Sequence, residues 1–181
     1  MARATLDAVT LLKDDHRTVE RLFGQFEKAH DDDRKAELAK QICTALTVHA
    51  MIEEEIFYPS CHGKIEEEDM LDEAYVEHDG AKVLISELSQ SSPDDEFFHA
   101  KVNVLAEMIK HHVKEEEKRG TGVLAQAKKA KLDLDDLGRR LMQRKEELMA
   151  EFEGGRLPDP ETRSYTGHKL VQSEPLEKPS N

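Results

Sequence analysis

Apolar residues in this chain recur at steps of three and four over long stretches, with no run alternating at period two. That pattern predicts amphipathic helices and no strands. A first helix is expected from a cap at Thr5 to about Ala29, with Val9, Leu12, His16, Val19, Phe23 and Phe26 on one face. Asp31-Asp32-Asp33 reads as a polar loop, with Asp32 or Asp33 as the next cap. A second helix is expected from Arg34 to Tyr58, with Leu38, Ile42, Leu46, His49, Glu53 and Ile56 facing inward and Pro59 stopping it. A third is expected over residues 66–89, with Leu71, Tyr75, His78, Ile85 and Leu88 on its stripe. Ser91-Ser92-Pro93-Asp94 has the chemistry of a helix start. The fourth helix is therefore expected from Asp94 to Lys118, with Phe98, Val102, Leu105, Met108 or Ile109, His112 and Glu116 inward. Gly120 and Gly122 interrupt the pattern. A short helix over 123–130 and a last one over 134–152, capped by Asp133, complete it. This predicts a bundle over residues 1–120, a helical extension over 121–153 packed on it, and a disordered or loosely draped tail over 154–181, where Pro, Gly, Ser and charge replace periodicity.

The inward stripes carry groups that do not belong in an apolar core. His16, His49, His78 and His112 fall at intervals of 33, 29 and 34 residues, about one helix and one loop each. His49/Glu53 and His112/Glu116 add a carboxylate one turn after the imidazole on the same face. The spacing itself is weak, since five His-x-x-x-Glu pairs occur. His62/Glu66 straddles a loop, His111/Glu115 starts on an exposed side, and His16/Glu20 ends at a stripe edge. The other two pairs stand where burial is expected, and a buried carboxylate without a partner is costly. In an up-down-up-down arrangement the four histidines lie at matching depth to within a turn or two. Six N and O donors on four helices exceed what one tetrahedral zinc takes, and two carboxylates can bridge a metal pair.

Composition narrows the class. Of 181 residues, 36% are charged and 5% aromatic, and the formal net charge is −13. Such a surface repels phosphate backbones, which argues against nucleic acid. No apolar run approaches a membrane span, and no signal peptide is visible. Cys43 and Cys61 form neither a disulfide framework nor a CxxC site. The expected setting is reducing and cytoplasmic.

Together, Leu11-Leu12-Lys13-Asp14-Asp15-His16-Arg17, His49-Ala50-Met51-Ile52-Glu53-Glu54-Glu55-Ile56-Phe57-Tyr58-Pro59, Glu77-His78 and His111-His112-Val113-Lys114-Glu115-Glu116-Glu117 span about residues 5–118 in order. In these segments the chain resembles a hemerythrin-like (HHE cation-binding) domain. The resemblance implies an up-down four-helix bundle holding two non-haem iron ions joined by an oxygen bridge (Fe–O–Fe), ahead of manganese or a mixed pair. Carried over by position, the ligands are His16, His49, Glu53, His78, His112 and Glu116, with Glu53 and Glu116 bridging. The oxygen-carrying members have a further histidine one turn from the third-helix ligand. Here those positions are Ala74 and Lys82, so one ion is expected to keep an extra open position or to borrow Glu54, Tyr58, Glu77 or water; Glu115 is a further neighbour of the site. The usual Phe-Pro after the fourth helix is replaced by Lys118-Arg119-Gly120-Thr121-Gly122. The implied ligand is O2, peroxide or NO, in binding, sensing or stress protection. Beside it stand a peroxide-degrading, catalase- or peroxidase-like enzyme at the same centre and an iron- or oxygen-responsive regulatory module.

Overall fold

A computed structural model describes residues 6–167. Among these, all regular structure is helical. Helix α1 runs Ala8–Lys28, α2 Asp32–Ile52, α3 Tyr58–Cys61, α4 Asp69–Ser89, α5 Phe98–Glu116, α6 Val123–Lys129 and α7 Leu134–Glu151; a π-helical turn, Glu53–Phe57, joins α2 to α3. Thr5, the expected first cap, lies outside the described residues, and so does the expected tail from residue 168 onward. The cap of α1 is Asp7, whose Oδ1 accepts from the amides of Val9 and Thr10 at 3.0 and 3.1 Å. Asp31, one residue earlier than expected, caps α2 through the Arg34 amide at 2.9 Å. Asp133 caps α7 through the Asp136 amide.

Two helix starts are later than the pattern predicts. The amides of Glu66 and Glu67 donate to Gln126 Oε1 at 3.0 and 2.9 Å, which ties that stretch to α6 and delays α4 to Asp69. Residues 92–97 form turns closed by the Ser92 amide on Asp95 Oδ2 (2.7 Å), so α5 begins at Phe98. The larger correction is at Pro59, which does not stop the second helix. In the π turn the Tyr58 amide reaches Glu53 O, an i→i+5 bond. Pro59 then falls in the first turn of α3, where its missing N–H leaves no acceptor unmet, and the helix continues to Cys61.

Helices α1, α2, α4 and α5 form a ring in which each packs on the next and α5 returns to α1. This is the four-helix bundle. Helix α7 lies outside it, against α1, α2 and the π turn. Its Gly138 allows the approach: a Cβ there would stand 2.9 Å from Ala8 N and collide with Leu6 O. The core divides into two clusters. One contains Leu12, Ile52, Phe57, Tyr58, Ala74, Leu141 and Leu148. The other contains Val19, Leu46, Ala81, Ile85, Phe98 and Leu105. His16, His49 and His78 each sit between members of the two clusters along their own helix. Residues 154–167 carry no helix but are held in place: Leu157 packs against both clusters, and Asp79 Oδ2 accepts from the amides of Arg163 and Ser164 and from Ser164 Oγ at 2.6–2.7 Å. No described helix is long and apolar enough to cross a membrane.

Candidate metal centre

The six positions singled out by the helical pattern meet in one buried layer. His16 comes from α1, His49 from α2, Glu53 from the π turn, His78 from α4, and His112 and Glu116 from α5; all are buried. The Nε2 atoms converge in pairs, His16 on His49 at 3.2 Å and His78 on His112 at 3.1 Å. Glu53 Oε2 lies 3.2 Å from His49 Nε2 and 3.4 Å from His78 Nε2. Glu116 Oε2 lies 3.3 Å from His16 Nε2 and 3.5 Å from His112 Nε2. Each carboxylate therefore spans both imidazole pairs. Two groups of donors, His16/His49/Glu53/Glu116 and Glu53/His78/His112, each have ligand atoms within 4.8 Å of one another.

A carboxylate stands behind every one of the four imidazoles. His16 Nδ1 faces Glu117 at 2.8 Å, His78 Nδ1 faces Glu54 at 3.0 Å, and His112 Nδ1 faces Glu77 at 2.7 Å. His49 Nδ1 faces Asp15 at a longer 3.6 Å. The backing carboxylates are themselves countered: Glu117 by Arg17 and Lys13, Asp15 by Lys145 of α7, and Glu54 by Lys82. The arrangement runs round the ring. The acidic neighbour in sequence of one helix's donor backs the histidine of the next helix: Asp15 of α1 serves α2, Glu54 serves α4, Glu77 serves α5, and Glu117 serves α1.

This network tests the fit of a metal. At His16, His78 and His112 the carboxylate at Nδ1 places the proton there and leaves Nε2 as a bare lone pair, while His49 Nδ1 and Asp15 Oδ2, 3.6 Å apart, have no hydrogen-bond partner among the protein groups. Two lone pairs 3.1–3.2 Å apart repel unless a cation lies between them. Glu53 Oε1 and Glu116 Oε2, both buried, have no hydrogen-bond partner among the protein groups. Burial and the facing Glu116 push Glu53 well above the usual carboxylate range. Burial would raise Glu116 as well, but His112, His16 and His49 hold it low. Burial, partly offset by Asp15, pushes His49 down to about 4. His78 is also lowered by burial, against Glu54. Burial would lower His112 as well, but Glu116 and Glu77 raise it. A donor set of imidazoles and carboxylates with orphaned oxygens fits divalent or trivalent cations of the first transition row.

The neighbours suggested by sequence separate cleanly. Glu54 and Glu77 stand behind histidines. Glu115 is outside the layer and pairs with Lys118 at 3.3 Å. Tyr58 enters the layer: its phenol donates to Glu116 Oε1 at 2.8 Å and Glu53 Oε2 at 3.3 Å, and lies 3.4 Å from His78 Nε2. Burial, then Glu116 and Glu53, raise the phenol well above its usual range. The π turn puts it there. Positions five apart on an α-helix differ by ~0.4 of a turn, whereas an i→i+5 turn brings Glu53 and Tyr58 nearly into line. Asp15, Glu117 and Lys145 were not picked out as site residues from the sequence. The signal for the first two was present, since each flanks a donor directly; nothing in the sequence connects Lys145 to residue 15.

The family model described as "Hemerythrin HHE cation binding domain" matches residues 7–119. A protein from Nostoc sp. named DNA nickase is 33% identical over 107 residues, covering 59% of this chain. The match spans 30% of that relative's length. Among solved structures, a hemerythrin HHE cation binding domain-containing protein from Mycobacterium kansasii superposes with a TM-score of 0.66 at 19% identity, over 82% of this chain and 91% of that one. That likeness establishes the shared fold.

Proposed function

The chain belongs to the hemerythrin HHE cation-binding family, and on that premise we propose that its histidine layer holds two non-haem iron ions and meets O2, peroxide or NO. The observation that carries this reading is the set of four Nε2 lone pairs and two spanning carboxylates, each imidazole backed by its own carboxylate. When bound, such an ion pair supplies the electrons through which small oxidants are held or reduced.

The protein groups divide the remaining work. The backing carboxylates fix each ring and strengthen it as a donor. Glu53 and Glu116 offer their oxygens to both imidazole pairs. The two apolar clusters flank the layer along the bundle. Tyr58 takes the place of the imidazole absent at Ala74 and Lys82. Its Oη either keeps its proton and donates to Glu116, or would give that proton up to serve as a borrowed phenolate ligand. The relative's DNA-nicking label forms no part of the proposal, because a net charge of −13 repels the DNA backbone.

Loading the purified chain with iron tests the reading. The expected result is two iron ions per chain with an oxygen-to-iron charge-transfer band, and loss of at least half the iron in His49→Ala. An iron content unchanged by His49→Ala, with no such band in the parent protein, overturns it. In Tyr58→Phe at equal iron content, loss of a visible phenolate band identifies a ligand, and an unchanged spectrum identifies a donor. Steady O2 release from hydrogen peroxide by the loaded protein would place it among peroxide-degrading enzymes.

A further inference from the structure

The two apolar clusters do not close on one another across the histidine layer. Between them lies a cavity of about 470 Å³. His16, His49, His78 and His112 border its inner end; Val19, Leu46, Ala81, Ile85 and Ile109 form its apolar walls; residues 157–163 line its partly open outer side. Native interiors rarely keep voids larger than a water molecule. A small oxidant needs about a water's share of space, roughly 30 Å³, so the cavity exceeds that need more than tenfold. Apolar cavities of ~300–1,000 Å³ with a few polar groups have the dimensions of small organic ligand sites.

Its charge pattern narrows the occupant. Of the ionic groups that line it, those of the bundle and Arg163 are engaged with protein partners, Arg163 with Glu54 at 3.4 Å, while the exposed carboxylates of Asp159 and Glu161 stand on the outer segment. Asp15 faces His49 and Lys145, and Glu55 holds Arg144 at 2.6 Å. Lys82 is shared by Glu54 (2.7 Å), Asp79 (3.5 Å) and Glu161 O (3.1 Å). The remaining polar contributions include the hydroxyls of Thr47, Ser86 and Thr162. A charge carried in to the inner groups would have to break these pairs, whereas a neutral ligand with an apolar body and a single hydroxyl-type end would not.

We propose that this cavity, between the histidine layer and residues 157–163, binds a neutral, largely apolar organic molecule. This deepens the preceding reading by giving the same centre an organic partner, and it rests on that reading for what the molecule meets at the inner end. Calorimetric titration of the full iron-loaded chain with 1-naphthol, beside the anion naphthalene-2-sulfonate, tests it. One naphthol per chain at micromolar affinity is expected, with the sulfonate at least tenfold weaker. Ala81→Phe and Ser86→Phe, which fill the cavity from α4, are each expected to weaken naphthol at least tenfold with iron content unchanged. Ser86 is only half-buried, so it provides a variant whose folding is less at risk than that at Ala81. Absence of saturable naphthol binding, equal binding of the sulfonate, or unchanged affinity in a filled variant that retains its helicity overturns the proposal. Iron analysis of the same samples separates the two readings. Naphthol binding by a chain that takes up no metal removes the metal reading alone, and iron uptake without naphthol binding removes the cavity proposal alone.

Discussion

Each of the four histidines has one nitrogen turned to the shared interior and the other to a carboxylate on the preceding helix of the ring. The second contact decides how well the first serves as a donor. In Glu117→Gln the size is kept and the charge behind His16 is lost, while Lys13 loses its partner and Arg17 is left with Glu20. Iron affinity, measured by competition with a chelator, is expected to fall about 10–100-fold. Glu115→Gln, two residues earlier and paired with Lys118 away from the layer, should leave it unchanged. At this scale the sequence was informative about donors and poor about their backing. His49 and Glu53 declare themselves by interrupting an apolar stripe. Asp15 and Glu117 look like ordinary surface acids, because a position beside an inward residue is turned ~100° from it and points at a neighbouring helix that the sequence does not identify.

Periodicity located every helix except the short α3, Tyr58–Cys61, which runs through Pro59, and it located their ends less well. Asp31 rather than Asp32 or Asp33 caps α2, and Gln126 postpones α4 by bonding two amides across the fold. The π turn is the departure that matters for the site. One extra residue in the turn changes which face Tyr58 occupies and carries a phenol into the histidine layer. Pro59 reads locally as a helix stop, since its effect depends on whether the preceding turn has already released the amide it lacks. Helix α7 depends on one glycine. Gly138→Ala would drive a Cβ into the backbone of residues 6–8. It is expected to destabilise the fold by about 1–3 kcal/mol, read as a lower midpoint in denaturant. It should also loosen the Lys145–Asp15 pair behind His49.

The whole molecule extends the family's bundle with two additions that bear on the centre. The family match ends at residue 119, yet Lys145 of α7 counters Asp15, and residues 157–163 wall the cavity. The latch for that segment is Asp79, fully buried. Burial would raise its pKa, but the Ser164 amide and hydroxyl, the Arg163 amide and Lys82 hold it below the usual 3.8. A carboxyl depressed on folding contributes stability above its unfolded pKa and loses it as pH falls through the folded value. Amide-exchange protection at Arg163 and Ser164, corrected for intrinsic rates, is therefore expected to hold above pH 3.8 and decline below it. At neutral pH Asp79→Asn should lower it about tenfold, the loss of a charge-assisted bond worth ~1.5 kcal/mol, and the difference should vanish in acid. The sequence by itself determined the helices, the bundle and the six inward donors, because helical period and the cost of burying a carboxylate are local facts. Only the tertiary structure decided which acid backs which histidine, that Tyr58 enters the layer, and that α7 and residues 157–163 complete its surroundings. Those depend on distances between side chains far apart in sequence, from 24 residues for Glu54 and His78 to 130 for Asp15 and Lys145, and no periodicity along the chain encodes them.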